Sequence, residues 1–191
     1  MQSRVQAFAL LSEYTKSESL IKHSLAVECA MGWYATYFKQ DAAEIEKWKI
    51  TGLLHDFDYE KYPEPTSPDG HPFKGNQILS ELGFPEDVRR AIMGHALYTN
   101  TPRDTLMAKA LFAVDELTGL ITASVYVRPD KSILTLEVSS VNRKLKDKAF
   151  ARGCSRDDMR LGAQELEIEL LIHIGNVLTA MKETGSELGL A

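Results

Sequence analysis

The chain has 191 residues, of which 44% are hydrophobic and 26% are charged, and its formal net charge is −5. The apolar content is enough for one domain with a buried core and excludes an intrinsically disordered chain, while 12 glycines and 7 prolines without a period exclude a collagen-like one. The acidic balance argues against a protein that coats duplex DNA, so we expect no nucleic-acid partner.

The cysteine pattern and the apolar stretches bear on the compartment. Cys29 and Cys154 lie far apart without a CxxC pattern, so we predict neither a disulfide framework nor a cysteine-rich zinc site. The N-terminal sequence lacks an apolar core of signal-peptide length, and no stretch approaches ~18 uninterrupted apolar residues. We therefore expect a cytoplasmic protein with reduced thiols and no membrane partner.

Helical periodicity dominates the first third of the chain. Apolar residues spaced three, four or seven apart predict a helix over residues 17–38. Asp41, with Glu44 three positions on, forms a capping-box pattern and predicts a second helix over residues 41–56. Four prolines predict a loop over residues 57–72.

The rest of the chain also reads as helical. Further helices, bounded by Gly83, Pro85, Pro129 and Ser155, are predicted over residues 73–82, 85–97, 104–126 and 155–183. Residues 132–152 predict one or two short helices, although the sequence ILTLEV alone is also compatible with a strand. We therefore predict an all-α, single-domain helical bundle over residues 1–191, with a core at about 17–127 and a C-terminal helical extension at about 128–191.

Three polar side chains fall on apolar helix faces. His23 shares a face with apolar neighbours in the first predicted helix, and His95 does so before the break at residues 99–102. A lone histidine on an apolar face is more often a hydrogen-bonded core residue than a metal ligand. Asp115, in the long helix, is harder to explain because an unpaired buried carboxylate costs several kcal/mol or is forced neutral. A basic partner or a bound cation would resolve this cost.

The adjacent pair His55-Asp56 favours the cation. Neighbouring helical residues point about 100° apart, so both side chains reach one ion only beyond the helix end, where this pair lies. Two further histidines follow in the proline-rich loop and after the next helix. Imidazole nitrogen and carboxylate oxygen together suit zinc, iron and manganese. We predict one shared site for one or two such divalent metals (Fe, Mn or Zn), with the ligands His23, His55, Asp56, His71, His95 and Asp115.

The order of these residues resembles a known signature. His23, then His55-Asp56, then Asp115 is similar to the H…HD…D pattern of the HD superfamily of metal-dependent phosphohydrolases, over roughly residues 17–127. The resemblance implies that these four residues ligate one metal and that Asp56 bridges to a second one. The two additional histidines, at positions 71 and 95, resemble the subgroup with a binuclear centre, in which they serve the second metal.

The chain departs from that subgroup directly after the doublet. Many binuclear members continue with a small residue, glycine and lysine, and the lysine contacts phosphate. Here the doublet is followed by the residues Phe57, Asp58, Tyr59, Glu60 and Lys61. Asp58 and Lys61 are therefore candidates for assisting the leaving group or the phosphate.

Basic residues supply candidates for substrate contacts. Between positions 128 and 160, nine lysines and arginines stand against five acidic residues, which is compatible with an anion-attracting surface or with a solvated helix face. Lys74 lies in the first turn of a predicted helix, where backbone N–H groups favour anions. Arg103 precedes the long helix. We predict that Lys74 and Arg103 bind substrate.

The function predicted from these observations is hydrolysis of a small phosphorylated substrate, a nucleotide-like phosphate ester or anhydride, by metal-activated water. Two alternatives stay open: a di-iron oxygenase on the same fold, because the same ligands suit iron, and a non-catalytic module that binds a metal or ligand for regulation. A homo-oligomer is compatible with the sequence but is not required by it.

Overall fold

A computed structural model describes residues 2–191, and within that range it contains helices and no strand. The all-α prediction is confirmed. The helices are α1 (Arg4–Tyr14), α2 (Glu18–Tyr37), α3 (Ala42–Leu54), α4 (Phe73–Glu81), α5 (Glu86–Gly94), α6 (Leu106–Tyr126), α7 (Val138–Lys146), α8 (Arg156–Glu165) and α9 (Leu170–Glu183), with a short 3₁₀ turn at Leu97–Thr99. None of the helices in the described range is both long and apolar enough to cross a membrane.

The chain divides into two compact units, Met1–Leu111 and Phe112–Ala191. Helix α6 begins in the first unit and continues into the second. The single domain and the boundary near residue 127 that the sequence suggests stay predictions.

Helix α1 is absent from the sequence prediction although a local signal for it exists. The side chain of Ser3 accepts a hydrogen bond from the Gln6 N–H, and the Gln6 side chain accepts one from the Ser3 N–H. This is a capping box, which satisfies two backbone donors that the first helical turn would otherwise leave without partners. The helix buries Ala7, Leu10 and Leu11 in the first unit.

Helices α2 and α3 form the centre of the first unit, and a glycine brings their backbones close together. A β-carbon added at Gly52 would lie 2.9 Å from Met31 Cγ and 2.9 Å from the carbonyl oxygen of Val27. Only glycine allows this approach without a shift of one helix. The close contact lies three residues before His55, and it therefore holds the end of α3 against α2.

The loop after α3 is tied to the segment between α1 and α2. Thr15 Oγ1 donates to the carbonyl oxygen of Phe57 at 2.8 Å. The carboxylate of Glu60 accepts from the backbone N–H groups of Lys16 and Ser17 at 2.7 and 3.0 Å, and these bonds lower the pKa of Glu60. Both contacts fix the turn that carries Asp56.

The second unit contains the short helix predicted within residues 132–152, as α7, and differs from its prediction at one place. The sequence ILTLEV forms no strand, and α7 begins at its last residue, Val138. The single helix predicted over residues 155–183 is two helices, because Glu167 adopts φ = +58°. The N–H groups of Ile168 and Glu167 donate to the carbonyls of Ala163 and Gln164, which ends α8 in a Schellman motif.

Candidate metal centre

The first unit brings four histidines and one aspartate together from separate elements. His23 lies within α2, and His55 and His95 are the residues that cap the C-termini of α3 and α5. His71 lies in the irregular segment before α4. The aspartate is Asp56, which follows His55 in the turn after α3. His55 and His71 are buried, and the other members of the cluster are half-buried.

One oxygen of Asp56 faces the first pair of histidines. The Nε2 atoms of His23 and His55 are 3.2 Å apart. Asp56 Oδ2 lies 3.9 Å from the Nε2 atom of His23 and 3.4 Å from that of His55. These three ligand atoms are therefore close enough to hold one metal ion.

The other oxygen of Asp56 faces the second pair. The Nε2 atoms of His71 and His95 are also 3.2 Å apart. Asp56 Oδ1 lies 3.2 Å from the Nε2 atom of His71 and 3.3 Å from that of His95. These atoms form a second group able to hold a metal ion. The carboxylate thus lies between two histidine pairs and presents one oxygen to each.

The opposite ring nitrogens fix the tautomers. Nδ1 of His55 contacts the carbonyl oxygen of Gly52 at 2.7 Å, and Nδ1 of His95 contacts that of Ile92. A carbonyl only accepts hydrogen bonds, so both Nδ1 atoms carry a hydrogen. In the neutral ring, the lone pair then resides on Nε2, the atom that faces Asp56. Ordering of a histidine ligand through its second nitrogen is typical of metal sites.

The electrostatics of the cluster favour a cation at its centre. Burial opposes the ionisation of Asp56, but His55, His71 and His95 outweigh it, and the pKa of this carboxyl lies well below its usual range. Burial likewise opposes a charge on His71, yet Asp56 and Asp58 raise the pKa of its imidazole to about 9. Nε2 lone pairs directed at a carboxylate repel it unless a proton or a metal ion lies between them. The donor set therefore fits a divalent metal.

The comparisons with known proteins agree with this donor set. A family model described as HD domain matches residues 20–120, which is more than half of the chain and includes all six predicted ligands. The chain belongs to the HD-domain family. No curated protein and no solved structure matched the sequence. Since HD domains are a superfamily of metal-dependent phosphohydrolases, the family and the cluster together indicate a divalent-metal site in this HD domain.

Asp58, predicted as a catalytic residue, is committed to other contacts in this HD domain. Its side chain is 1% exposed. Oδ1 lies 2.7 Å from Nδ1 of His71, and Oδ2 accepts from the Gly75 N–H at 2.7 Å. With both oxygens engaged in the interior, the contacts of Asp58 favour positioning of His71 over direct work on a substrate. Its catalytic role stays a prediction.

The basic side chains predicted to contact substrate make other contacts within the first unit. Lys61 is exposed, and its Nζ lies 4.5 Å from the ring centre of Tyr14. Lys74 Nζ donates to Gln77 at 3.1 Å. Arg103 Nη1 donates to the carbonyl oxygen of Gly94, next to His95, at 3.0 Å. Their roles toward phosphate stay predictions.

The backbone amides at the start of α4, expected from the sequence to favour an anion, are already hydrogen-bonded within the protein. The N–H groups of Lys74 and Asn76 donate to the carbonyls of Gly70 and Pro72, both at 2.9 Å, and the N–H of Gly75 donates to Asp58. These amides are therefore occupied by acceptors of the protein itself, and only the Lys74 side chain still supports its predicted role toward a substrate anion.

Asp115, the last predicted ligand, lies on α6 in the second unit and is half-buried. Its backbone carbonyl accepts a hydrogen bond from Thr118 Oγ1 at 2.7 Å. The two metal-binding groups described above are built from the first unit, and the assignment of Asp115 as a ligand stays a prediction.

Two tyrosines at the cluster had no sequence signal. Tyr98, in the 3₁₀ turn, donates from its hydroxyl to the carbonyl oxygen of His71 at 3.0 Å. Partial desolvation, with Asp56 and Asp58 nearby, raises the pKa of Tyr98 to about 12, so its hydroxyl remains a donor. The ring of Tyr59 meets the ring of His71 edge-on at 5.5 Å. Both tyrosines lie in segments that are not regular amphipathic helices. In such segments the spacing of apolar residues gives no information about which side chains face a site.

Proposed function

We propose that this HD domain is a metal-dependent phosphohydrolase that cleaves a phosphate ester or anhydride of a small, nucleotide-like substrate. The observation that carries the proposal is Asp56, whose two oxygens each face a separate pair of histidines. A carboxylate shared in this way is suited to bridging two cations. Paired cations about 3.5–4 Å apart are the arrangement that many phosphate-cleaving enzymes use.

The residues divide between two half-sites. We assign the first to His23, His55 and Asp56 Oδ2, and the second to Asp56 Oδ1, His71 and His95. The mixed nitrogen and oxygen donors suit iron, manganese or zinc. When bound, such cations polarise phosphoryl oxygens and lower the pKa of a coordinated water toward neutrality. The protein's own contribution is to orient the imidazoles of His55, His71 and His95 through their Nδ1 contacts and to hold Asp56 ionised between them.

Two cationic side chains are assigned to substrate binding. Lys74 and Arg103 carry charges that complement phosphate, and both belong to segments adjoining a histidine of the second half-site. To contact phosphate, Lys74 must leave Gln77 and Arg103 must release the Gly94 carbonyl. Removing either charge is expected to raise KM more than it lowers kcat, since such contacts bind ground state and transition state alike.

The deciding experiment is metal analysis of the purified protein, followed by a screen of phosphate monoesters, diesters and nucleoside triphosphates. We expect Fe, Mn or Zn to co-purify, chelation to abolish release of phosphate, and the restored metal to return it. Oxygen consumption is measured in parallel. Turnover that requires oxygen and tightly held iron would replace hydrolysis by oxidative chemistry, and metal binding without any turnover would favour a regulatory module.

His173→Gln is the matched control for this screen, because His173 is a buried histidine of the second unit that belongs to neither half-site. It is expected to keep wild-type metal content. The metal content of Asp115→Asn, measured beside it, tests the predicted role of Asp115.

A further inference from the structure

His71 differs from the other histidines of the cluster in its support. His23 is part of α2, and His55 and His95 donate from Nδ1 to the carbonyl three residues earlier, at the end of their own helices. A helix end therefore orients these two rings locally. His71 has no helix behind it, since α4 begins only at Phe73. Its orientation depends on contacts with distant parts of the chain.

One of these contacts is made by the side chain of Asp58. The carboxylate accepts from His71 Nδ1 at 2.7 Å, in a pair that is buried on both sides. The backbone is held as well, because the Tyr98 hydroxyl donates to the His71 carbonyl at 3.0 Å. His71 is therefore fixed at its ring and at its main chain by residues that are 13 and 27 positions away.

Asp58 is itself fixed by the first turn of α4. Its second oxygen accepts from the Gly75 N–H at 2.7 Å. A β-carbon at Gly75 would lie 2.6 Å from Asp58 Cγ, so a side chain there would displace the carboxylate. Gly75 thus holds the carboxylate of Asp58 in the position from which it accepts a hydrogen bond from His71.

We propose that Asp58, seated on Gly75, is a positioning residue that sets the tautomer and orientation of His71 and thereby builds the half-site of Asp56, His71 and His95. The inference rests on the proposed function for its biological meaning, because it concerns the second cation of that centre. It assigns Asp58 to metal binding through His71 and not to contact with the substrate.

Asp58→Asn distinguishes this role from simple packing. The amide has nearly the same shape, but it has one acceptor oxygen for two donors. If that oxygen accepts from Gly75, the amide nitrogen donates to His71 Nδ1, and the hydrogen of the neutral ring moves to Nε2. The nitrogen that should bind metal then carries a hydrogen. If the oxygen accepts from His71, two N–H groups face each other at Gly75.

The test uses Zn²⁺ in competition with a chromophoric chelator, in two backgrounds that isolate the half-sites. In His23→Ala, the remaining ion reports on Asp56, His71 and His95, and adding Asp58→Asn is expected to weaken it about 10- to 100-fold. In His95→Ala, the remaining ion reports on His23, His55 and Asp56, and Asp58→Asn is expected to leave its affinity unchanged. Equal weakening in both backgrounds, or none in the first, would overturn the inference.

Two matched controls separate positioning from loss of structure. Glu28→Gln removes the charge of a buried carboxylate that pairs with Arg4 in the same unit, and it should alter neither zinc affinity. Gly75→Ala should weaken the second half-site as Asp58→Asn does, whereas Gly153→Ala, where an added β-carbon meets nothing within 4 Å, should not.

The inference and the proposed function fail separately. If the wild type binds Zn²⁺ at neither half-site, the proposed function fails. The ¹⁵N shifts of the His71 ring then decide the inference in the metal-free protein, at a pH where the imidazole is neutral. A hydrogen on Nδ1 in the wild type that moves to Nε2 in Asp58→Asn supports it. A hydrogen on Nε2 in the wild type overturns it.

Discussion

The two units of the molecule each bury histidines, and they treat them in opposite ways. In the first unit, His55 and His95 give their Nδ1 hydrogens to carbonyls and turn Nε2 toward a carboxylate. In the second unit, His173 is 0% exposed and gives its Nε2 hydrogen to the carbonyl of Ala113 at 2.9 Å. His173 is therefore the opposite tautomer. Its Nε2 atom, which in the cluster histidines faces Asp56, is used here for a hydrogen bond to the backbone.

The pKa values diverge with the surroundings. Burial lowers the pKa of His173 to about 4, against the opposing hydrogen bond to Ala113. His71 is also buried, but Asp56 and Asp58 raise its pKa to about 9. Burial alone therefore keeps a histidine neutral. Burial next to carboxylates instead favours a positive charge at the imidazole, from a proton or from a bound cation.

The largest effect is expected from Asp56→Asn. The amide keeps the shape of the side chain but removes the charge between the two histidine pairs. Removing one partner of a buried charged pair costs roughly 3–5 kcal/mol, so metal affinity should fall about 100-fold or more. Metal content and phosphate release should both collapse while the helical circular dichroism is retained. Wild-type metal content in this variant would contradict the central role of Asp56.

Metal removal should destabilise the wild type. A ligand that binds only the folded chain stabilises it by ~4 kcal/mol when its free concentration is a thousandfold above Kd. At ~2–4 °C per kcal/mol, this is a rise in Tm of roughly 8–16 °C. The shift should fade on acidification, because protons compete for the ligands. Calorimetry with chelated and reloaded protein measures it.

The same calorimetry compares the two units. His173→Gln should keep the metal-dependent shift, and the double variant His71→Ala with His95→Ala should lose the part due to the second half-site. Equal shifts in both variants would mean that His71 and His95 do not bind the metal.

We expect His173 to make the stability of the second unit decrease as the pH falls. Its pKa is about 4 in the folded chain and about 6.5 in the unfolded one. Between these values, the unfolded chain binds more protons, so the free energy of unfolding increases with pH there. The stabilisation that comes from keeping His173 neutral is fully present above pH 6.5. About 3 kcal/mol of the free energy of unfolding is lost as the pH falls to 4.

The control for this acid dependence is His173→Gln. Its amide nitrogen can replace Nε2 as the donor to Ala113 without titrating, so the variant should lose stability less steeply than the wild type. Urea titrations of both proteins at pH 7 and pH 4, without metal, measure the difference. Parallel pH profiles would show that His173 is not the titrating group.

How far the sequence predicts the helices depends on how each of them ends. Gly83 has φ = +76° and ends α4 where the sequence predicts it, because glycine is the usual residue for a left-handed cap. Glu167 takes the same kind of conformation at the end of α8, and glutamate gives no warning of it. The long helix predicted across this position was therefore wrong, whereas α6, bounded by Pro129, was confirmed.

The residues of the candidate site likewise fall into those that the sequence predicts and those that it does not. The histidines and Asp56 lie on helices, at helix ends or in the family's order of residues, so spacing and resemblance were enough to name them. The contacts of Asp58 arise only when the loop over residues 57–72 folds back and brings Gly75 to it. Tyr98 reaches His71 from another turn. Such contacts between irregular segments leave no period in the sequence, and a three-dimensional structure is needed to find them.

The smallest effect is expected from Tyr98→Phe, which removes the hydroxyl that donates to the His71 carbonyl and leaves the ring. A neutral hydrogen bond of this kind contributes about 0.5–1.5 kcal/mol, so Zn²⁺ affinity at the second half-site should fall up to about tenfold. Tyr59→Phe is the control, since the ring of Tyr59 meets His71 edge-on and this contact does not use the hydroxyl. Chelator competition in the His23→Ala background measures both variants. If Tyr59→Phe weakens zinc binding as much as Tyr98→Phe does, the hydrogen bond from Tyr98 to the His71 carbonyl is not what holds this half-site.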